Sequence, residues 1–359
     1  ATAITLAVPE ARVRRVVDGP HPDLPTATPL VAGSLALHQT PLAGHPLPFP
    51  PEYLDRLVEI ERFTQCVGGG CGVGSRVGDD DSGRFLKLQP TWHVATAAEL
   101  RSHWSNLEAW PTDDEVESID ELPIEDQADH RHLLDGFRAL RGATISSASI
   151  DAQLIETLRR RAGAATTARP VLDERTSFPD FGLDVLRAGP LTAILRCGSI
   201  GQRGNGGHAH NDQLAMEVLL NGVPILVDPG TGLYTPDHEL RNTLRSTAAH
   251  CTLAPEGLEQ NPWNPGRIGL FSMSDDRSAA SVEHRGDGSW TGVHHGFGQP
   301  HRRIVVASPS SLAVTDELAL DGVRALCLVV HPDVRINAPD AASTDPVTLV
   351  GRAAATMTV

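Results

Sequence analysis

The spacing of apolar residues changes character part-way along the chain. Up to about residue 165 they recur three and four positions apart, the period that places side chains on one face of an α-helix. In the stretch opening at Pro51, Tyr53, Leu57 and Ile60 share such a face, with Leu54 and Val58 beside them. Thr96-Ala-Ala-Glu99 has the form of a capping box, in which hydroxyl and carboxylate satisfy two backbone amides at a helix start. Leu100, Trp104, Leu107 and Trp110 follow it. His130 to Gly142 carries Leu133, Leu134, Phe137 and Leu140, and Ile150 to Arg161 carries Leu154, Ile155 and Leu158, with Gly163 placed to cap its end. The pattern predicts helices here, joined by Pro- and Asp-rich loops, and the acidic run Asp113 to Asp126 reads as a solvated loop.

After about residue 175 the runs are short and strand-like. Leu191 to Cys197 is set off by Gly189-Pro190. Glu217 to Val227 is two apolar runs around Asn221-Gly222, the dipeptide that suits a tight hairpin because both central residues must take positive φ. Further strands are expected at Ile268 to Met273, Ala280 to His284, Trp290 to His295, Arg303 to Ala307, Leu312 to Asp316 and Ala325 to His331. The reading is a multidomain α+β chain: a helical part over residues 1–170, then an antiparallel β-sandwich or barrel over 171–359.

Size and charge narrow the function. A chain of 359 residues fits about two domains. The formal net charge of −15 disfavours a nucleic acid or an anionic membrane surface, yet leaves room for an anionic sugar held in a local basic cleft. No apolar run approaches the roughly 20 residues that span a bilayer. The first residues lack the basic lead of a signal peptide, which leaves a cytoplasmic location open. Five scattered cysteines form no disulfide framework, and Cys66 and Cys71 read as plain thiols.

The densest polar cluster is Gly204-Asn-Gly-Gly-His208-Ala-His210-Asn211-Asp212. Asp228, Tyr234, Arg241, Arg245 and His250 follow within forty residues of His210. If His208 to His210 is extended, both imidazoles lie on one face. With Asp228 at the end of the hairpin and a later His250, the set can make a divalent-metal site of imidazoles and a carboxylate. Against this, sixteen histidines give pairs by chance, and His130/His132 and His294/His295 read as solvated surface. Asp228-Pro-Gly can also be simply a turn. On spacing alone both readings of the cluster stay open.

GGHAHNDQLAMEVLLNGVPILVDPGTGLYT and RNTLRSTAAHCT resemble the Gly-His-x-His-x-Asp, Val-Asp-x-Gly-Thr-x-x-Tyr and Arg-Ser-Thr-x-x-His segments of the heparinase II/III-like polysaccharide lyases. VGDDDSGR, ending at Arg84, is similar to that family's Gly-Asp-x-Asp-x-Gly-Arg stretch. The resemblance implies a partial (α/α) toroid followed by an antiparallel β-sandwich. It also implies β-elimination on an acidic polysaccharide or oligosaccharide, in a periplasmic or extracellular setting. It places His208 on a cleft histidine, Tyr234 near a cleft tyrosine, and His210, Asp228 and His250 on the ligands of a structural Zn2+. Asn211, Arg245 and Arg84 are candidate substrate-binding residues, because the uronate carboxylate needs donors where charge develops. Two departures stand out: only four or five helices precede the sandwich, and Cys251 replaces the usual Asn. A cupin-like metal enzyme and a non-catalytic carbohydrate-binding relative remain as alternatives.

Overall fold

The protein is described by a computed structural model for residues 51–68, 75–79, 92–96, 121–125, 129–143, 145, 150–161, 175–232, 235, 237–286, 288–322, 324–337, 348–350 and 356–358. Three helices lead: α1 (Pro51–Val67), α2 (Arg131–Arg141) and α3 (Ile150–Arg161). Pro51 suits the first turn of α1, where its missing N–H has no intrahelical partner to lose. Gly142 closes α2 in the left-handed region at φ 73, and its N–H reaches back to the carbonyl of Ala139. Leu133, Leu134 and Phe137 lie on the buried side of α2. Arg141 donates through Nε to Glu61 at 2.8 Å, so a buried ion pair joins α2 to α1.

Strand β1 (Trp92–Thr96) pairs antiparallel with β2 (Glu121–Glu125). This corrects two expectations. Thr96 ends a strand, and the tail of the acidic run is itself a strand, in which Leu122 and Ile124 alternate with Glu121, Pro123 and Glu125. Pro123 is tolerated there because both strands are edges. The expected helix after Thr96 lies outside the described residues, as does Gly163.

The sandwich has two main sheets. The first runs β3 (Arg175–Phe178), β4 (Leu183–Ala188), β5 (Leu191–Arg196), β6 (Met216–Leu220) and β7 (Val223–Leu226), in sequence order and antiparallel. The second runs β9 (Ser281–Gly286), β10 (Ser289–His294), β11 (His301–Ser308) and β12 (Ser311–Leu318). Leu191, Ala193 and Leu195 face a core that includes Val218, Ile225, Trp290 and Val305. On the opposite face Leu183, Val185, Ile194 and Leu219 pack against Phe63, Cys66 and Val67 of α1. Every position of β5 is therefore buried, Thr192 and Arg196 included. Asp184 ties the two sheets by accepting from Trp290 Nε1 at 2.9 Å and from Arg285 Nε at 2.7 Å.

The Asn221-Gly222 turn joins β6 to β7 with φ of 53 and 78, and Leu220 pairs with Val223. Two other expectations change. Ile268 to Met273 holds a 3-10 turn (Arg267–Phe271) instead of a strand. Arg245 takes the carbonyls of Gly269 and Leu270, which no strand partner then satisfies. Of Ala325 to His331, only the start joins a strand, β13 (Arg324–Leu326) paired with β8 (Leu253–Pro255). The Val329 carbonyl instead accepts from the Val227 amide and the His331 amide donates to the Ile225 carbonyl, so this stretch runs along the end of β7. A short helix, α4 (His238–Leu244), is capped by Asp237, whose carboxylate accepts from the Leu240 amide at 2.9 Å. A small sheet of β14 (Arg335–Asn337), β15 (Thr348–Val350) and β16 (Thr356–Thr358) completes the described chain.

Candidate functional site

The polar cluster sits between β5 and β6, in an irregular segment where Gly201, Gly204 and Gly206 take positive φ. His208 and His210 are on that segment, not on a strand. Asp228 follows β7, and His250 follows the 3-10 turn Thr247–Ala249 beyond α4. Ligand atoms of His210, Asp228 and His250 lie within 4.8 Å of one another, and all three residues are buried. The two imidazole rings tilt toward each other with centroids 5.3 Å apart.

The hydrogen bonds tell which atoms remain. Asp228 accepts from His250 Nδ1 at 2.9 Å and from the Gly230 amide at 2.8 Å. His210 Nε2 lies 3.0 Å from Asp79 Oδ1. His210 Nδ1 and His250 Nε2 are buried with no hydrogen-bond partner. An unpaired buried polar atom costs roughly 1–3 kcal/mol, so two of them beside a carboxylate need a reason. A divalent cation supplies one: two neutral imidazole nitrogens and a carboxylate oxygen are a donor set that zinc accepts. The residues fit the ion.

Asp79 is the centre of the polar frame. Its Oδ2 lies 3.1 Å from His208 Nδ1, and Arg241 Nη2 donates to the same carboxylate at 2.8 Å. Burial alone would raise its pKa, but the two histidine hydrogen bonds and the Arg241 charge bring it down to about 2. Burial likewise opposes the charged forms of Asp228 and His250, yet each partner outweighs it. The Asp228 carboxyl is held below, and the His250 imidazole above, its ordinary range. Asp79 reaches the sandwich because Gly78 takes φ +75 and comes close to the His208 carbonyl, where a Cβ would stand 2.7 Å from the oxygen. The Asp79 amide then donates to that same carbonyl at 3.0 Å.

His208 is the exposed member of the group, with its side chain 27% accessible, whereas those of His210, His250, Asp79 and Arg241 are at most 1% accessible. It borders a cleft of about 70 Å³ that Phe181, Arg196, Gln202 and Asp212 also line. Gln202 and Arg203 both take positive φ, 50 and 56, and the Gln202 side-chain oxygen Oε1 accepts from the Gly207 amide at 2.8 Å. Strained non-glycine backbone of this kind persists where surrounding structure over-determines it.

Two expected substrate residues are placed elsewhere. Asn211 is fully buried, donating to Glu259 and the Asn261 carbonyl and accepting from the Asn261 amide. Arg245 is also fully buried. It donates to Asn242 and two backbone carbonyls and lies over the Trp263 ring at 4.5 Å. Both build the frame and present no donor to a sugar. Tyr234 and Arg84 lie outside the described residues. The sequence reading gave no role to Arg241, although its spacing of four from Arg245 puts both on one face of α4. His294, expected on the surface, is fully buried, while His295 is exposed. Cys66, Cys197, Cys251 and Cys327 are free thiols, and burial pushes Cys251 up to about 12.

Comparison with known proteins follows this geometry. The family model described as heparinase II/III-like, C-terminal, matches residues 170–355, just over half of the chain. Among solved structures, a heparinase III superposes with TM-score 0.54 at 15% identity, over 95% of this chain and 45% of that one. A mutant of the heparan sulfate lyase HepC from Pedobacter heparinus gives TM-score 0.53 at 14% identity, over 95% and 45%. The chain thus spans less than half the length of these structures, and at such identity they speak for the fold. Comparison with curated protein sequences gives no match.

Proposed function

Because the chain belongs to the heparinase II/III-like family, we propose that it acts on a uronate-containing acidic polysaccharide as a lyase, with His208 working at the sugar. β-Elimination removes the proton beside the uronate carboxylate and expels the oxygen at the neighbouring carbon. It needs a base or acid within hydrogen-bond reach and a donor where the enolate charge forms. The observation that carries this reading is the division of the cluster: His208 borders a cleft, while His210, Asp228 and His250 are sealed beneath it. His208 is then the proton-handling or carboxylate-neutralising group, and Tyr234 its partner for the leaving oxygen. His210, Asp228 and His250 would hold a structural Zn2+, whose charge would pin the three segments together. Arg196, at the cleft beside His208, donates to the carbonyls of Gly182 and Ser199 and so shapes the floor. A polymeric acidic substrate places the protein in the periplasm or outside the cell. No helix of the described residues is long and apolar enough to cross a membrane.

The cupin-like alternative falls with the family assignment. The carbohydrate-binding alternative separates on one assay. The protein is incubated with a panel of uronate polymers, and the ultraviolet absorbance of the unsaturated sugar end is followed, with His208→Ala in parallel. Product from the parent and none from the variant is expected. Retention of polymer without product would replace the lyase with the binding reading.

A further inference from the structure

The Asp79 carboxylate touches His210 through one oxygen and His208 through the other. We propose that Asp79 is a positioning residue for both rings. It fixes the proton of His210 on Nε2, so that Nδ1 faces Asp228 and His250, and it fixes the proton of His208 on Nδ1, so that Nε2 is the acceptor nitrogen of that ring.

The argument is one of donors and acceptors. An ionised carboxylate only accepts, so a ring nitrogen at 3.0–3.1 Å from it carries the hydrogen. Arg241 Nη1 lies 3.2 Å from the same His210 nitrogen, but a guanidinium has no lone pair and cannot receive that hydrogen. If Nε2 were bare to accept from Arg241, it would face the Asp79 oxygen lone pair to lone pair. The arrangement that satisfies all three has both His210 and Arg241 donating to Asp79. That choice leaves His210 Nδ1 bare, which is the buried nitrogen without a partner. The tautomer derived from Asp79 and the orphan nitrogen are separate observations, and they agree.

The carboxylate comes from a distant part of the chain. Asp79 precedes His208 by 129 residues, and the Asp79 amide is bonded to the His208 carbonyl at 3.0 Å. The segment holding residues 75–79 therefore sets both rings from outside the sandwich. The metal-facing half of this inference rests on the metal reading above. The tautomer half does not.

Two measurements test it. Long-range proton–nitrogen spectra of the imidazoles at neutral pH, on the metal-free parent, should show the Nε2–H form for His210 and the Nδ1–H form for His208. The opposite form at either ring overturns the proposal, and this readout needs no variant to fold. Zinc affinity is then measured by competition with a chromophoric chelator for the parent and Asp79→Asn. The variant keeps the size of the side chain but offers one acceptor oxygen and a donor in place of the other. Its zinc affinity should fall about 10–100-fold. If active, it should lose kcat with little change in KM. Equal affinity in parent and variant overturns the Asp79 role. No zinc binding by the parent removes the metal reading, while the spectra still decide the tautomers.

Discussion

His210 and His208 stand two residues apart and answer to different neighbours. His210 is sealed against Asp228 and His250, and His208 borders the cleft. The two alanine variants should therefore separate. His210→Ala should strip bound zinc, measured by elemental analysis, and lower Tm by several degrees, because a ligand and a buried contact are lost. His208→Ala should keep zinc and leave Tm within about a degree while abolishing product. Loss of zinc from His208→Ala would show that the two roles are exchanged. This triad was legible through the family resemblance, because spacing alone left a metal site and a turn with chance histidines equally open. Asp79 was only partly legible. The resemblance set it in a Gly-Asp-x-Asp-x-Gly-Arg stretch without a role, since nothing local reveals partners 129 and 131 residues away. Asn211 and Arg245 misled for the reverse reason. Polar residues in a dense polar cluster are as useful for satisfying buried backbone as for meeting a ligand, and burial is a property of the fold.

At the scale of strands, the second sheet carries a directed chain of hydrogen bonds across β10, β11 and β12. The Gly296 amide donates to His294 Nδ1 at 3.1 Å, His294 Nε2 is 3.0 Å from His301 Nδ1, and His301 Nε2 is 2.7 Å from Asp316. With His294 Nδ1 accepting from the Gly296 amide, the His294 proton sits on Nε2 and points to His301. Burial, followed by the charges of His301, His295 and Arg303, pushes the His294 pKa down to about 3. The unfolded chain takes a proton there near pH 6.5, which the folded chain refuses. Stability from this group is thus complete above pH 6.5 and is lost as pH falls from there toward 3. Between pH 6 and 4 the loss is roughly 2–3 kcal/mol for one such group. Denaturant unfolding of His294→Asn across that range should show a lower but flatter profile, and an unchanged slope would sink the assignment. Sequence-local devices were the legible ones at this scale. Asn221-Gly222 announced its hairpin, and replacing Gly222 by Ala at φ 78 should cost about 1–2 kcal/mol, read as a lower denaturation midpoint. Ile268 to Met273 failed because a short apolar run has no period to distinguish strand from turn. Strands β3 and β4 and helix α4 were passed over because each is six or seven residues at most, too short for a pattern to repeat.

For the whole molecule, the division into a helical part and a sandwich describes the order of elements better than it describes the packing. The first sheet has two covered faces, one against the second sheet and one against α1. The change of period near residue 170 shows in the sequence, but the shared core does not, because it joins Phe63, Cys66 and Val67 to strands more than a hundred residues on. Polar ties cross the same boundary: Arg187 donates to the Cys66 carbonyl at 3.1 Å, and Asp79 meets His208, His210 and Arg241. Arg241, Arg245 and Arg303 are fully buried, so three positive charges are held inside a chain of net −15. A fragment of residues 171–359 would therefore expose Leu183, Val185, Ile194 and Leu219 and lose the Asp79 carboxylate that neutralises Arg241. Covering side chains of this size is worth about 1.5–3 kcal/mol each when complete. The intact chain should lose helical and sandwich signals in one thermal transition. The fragment should melt well below it, bind a dye that reports exposed apolar surface, and hold zinc weakly. A fragment that melts with the parent and binds no dye would mean that the sandwich stands alone and that α1 merely rests against it.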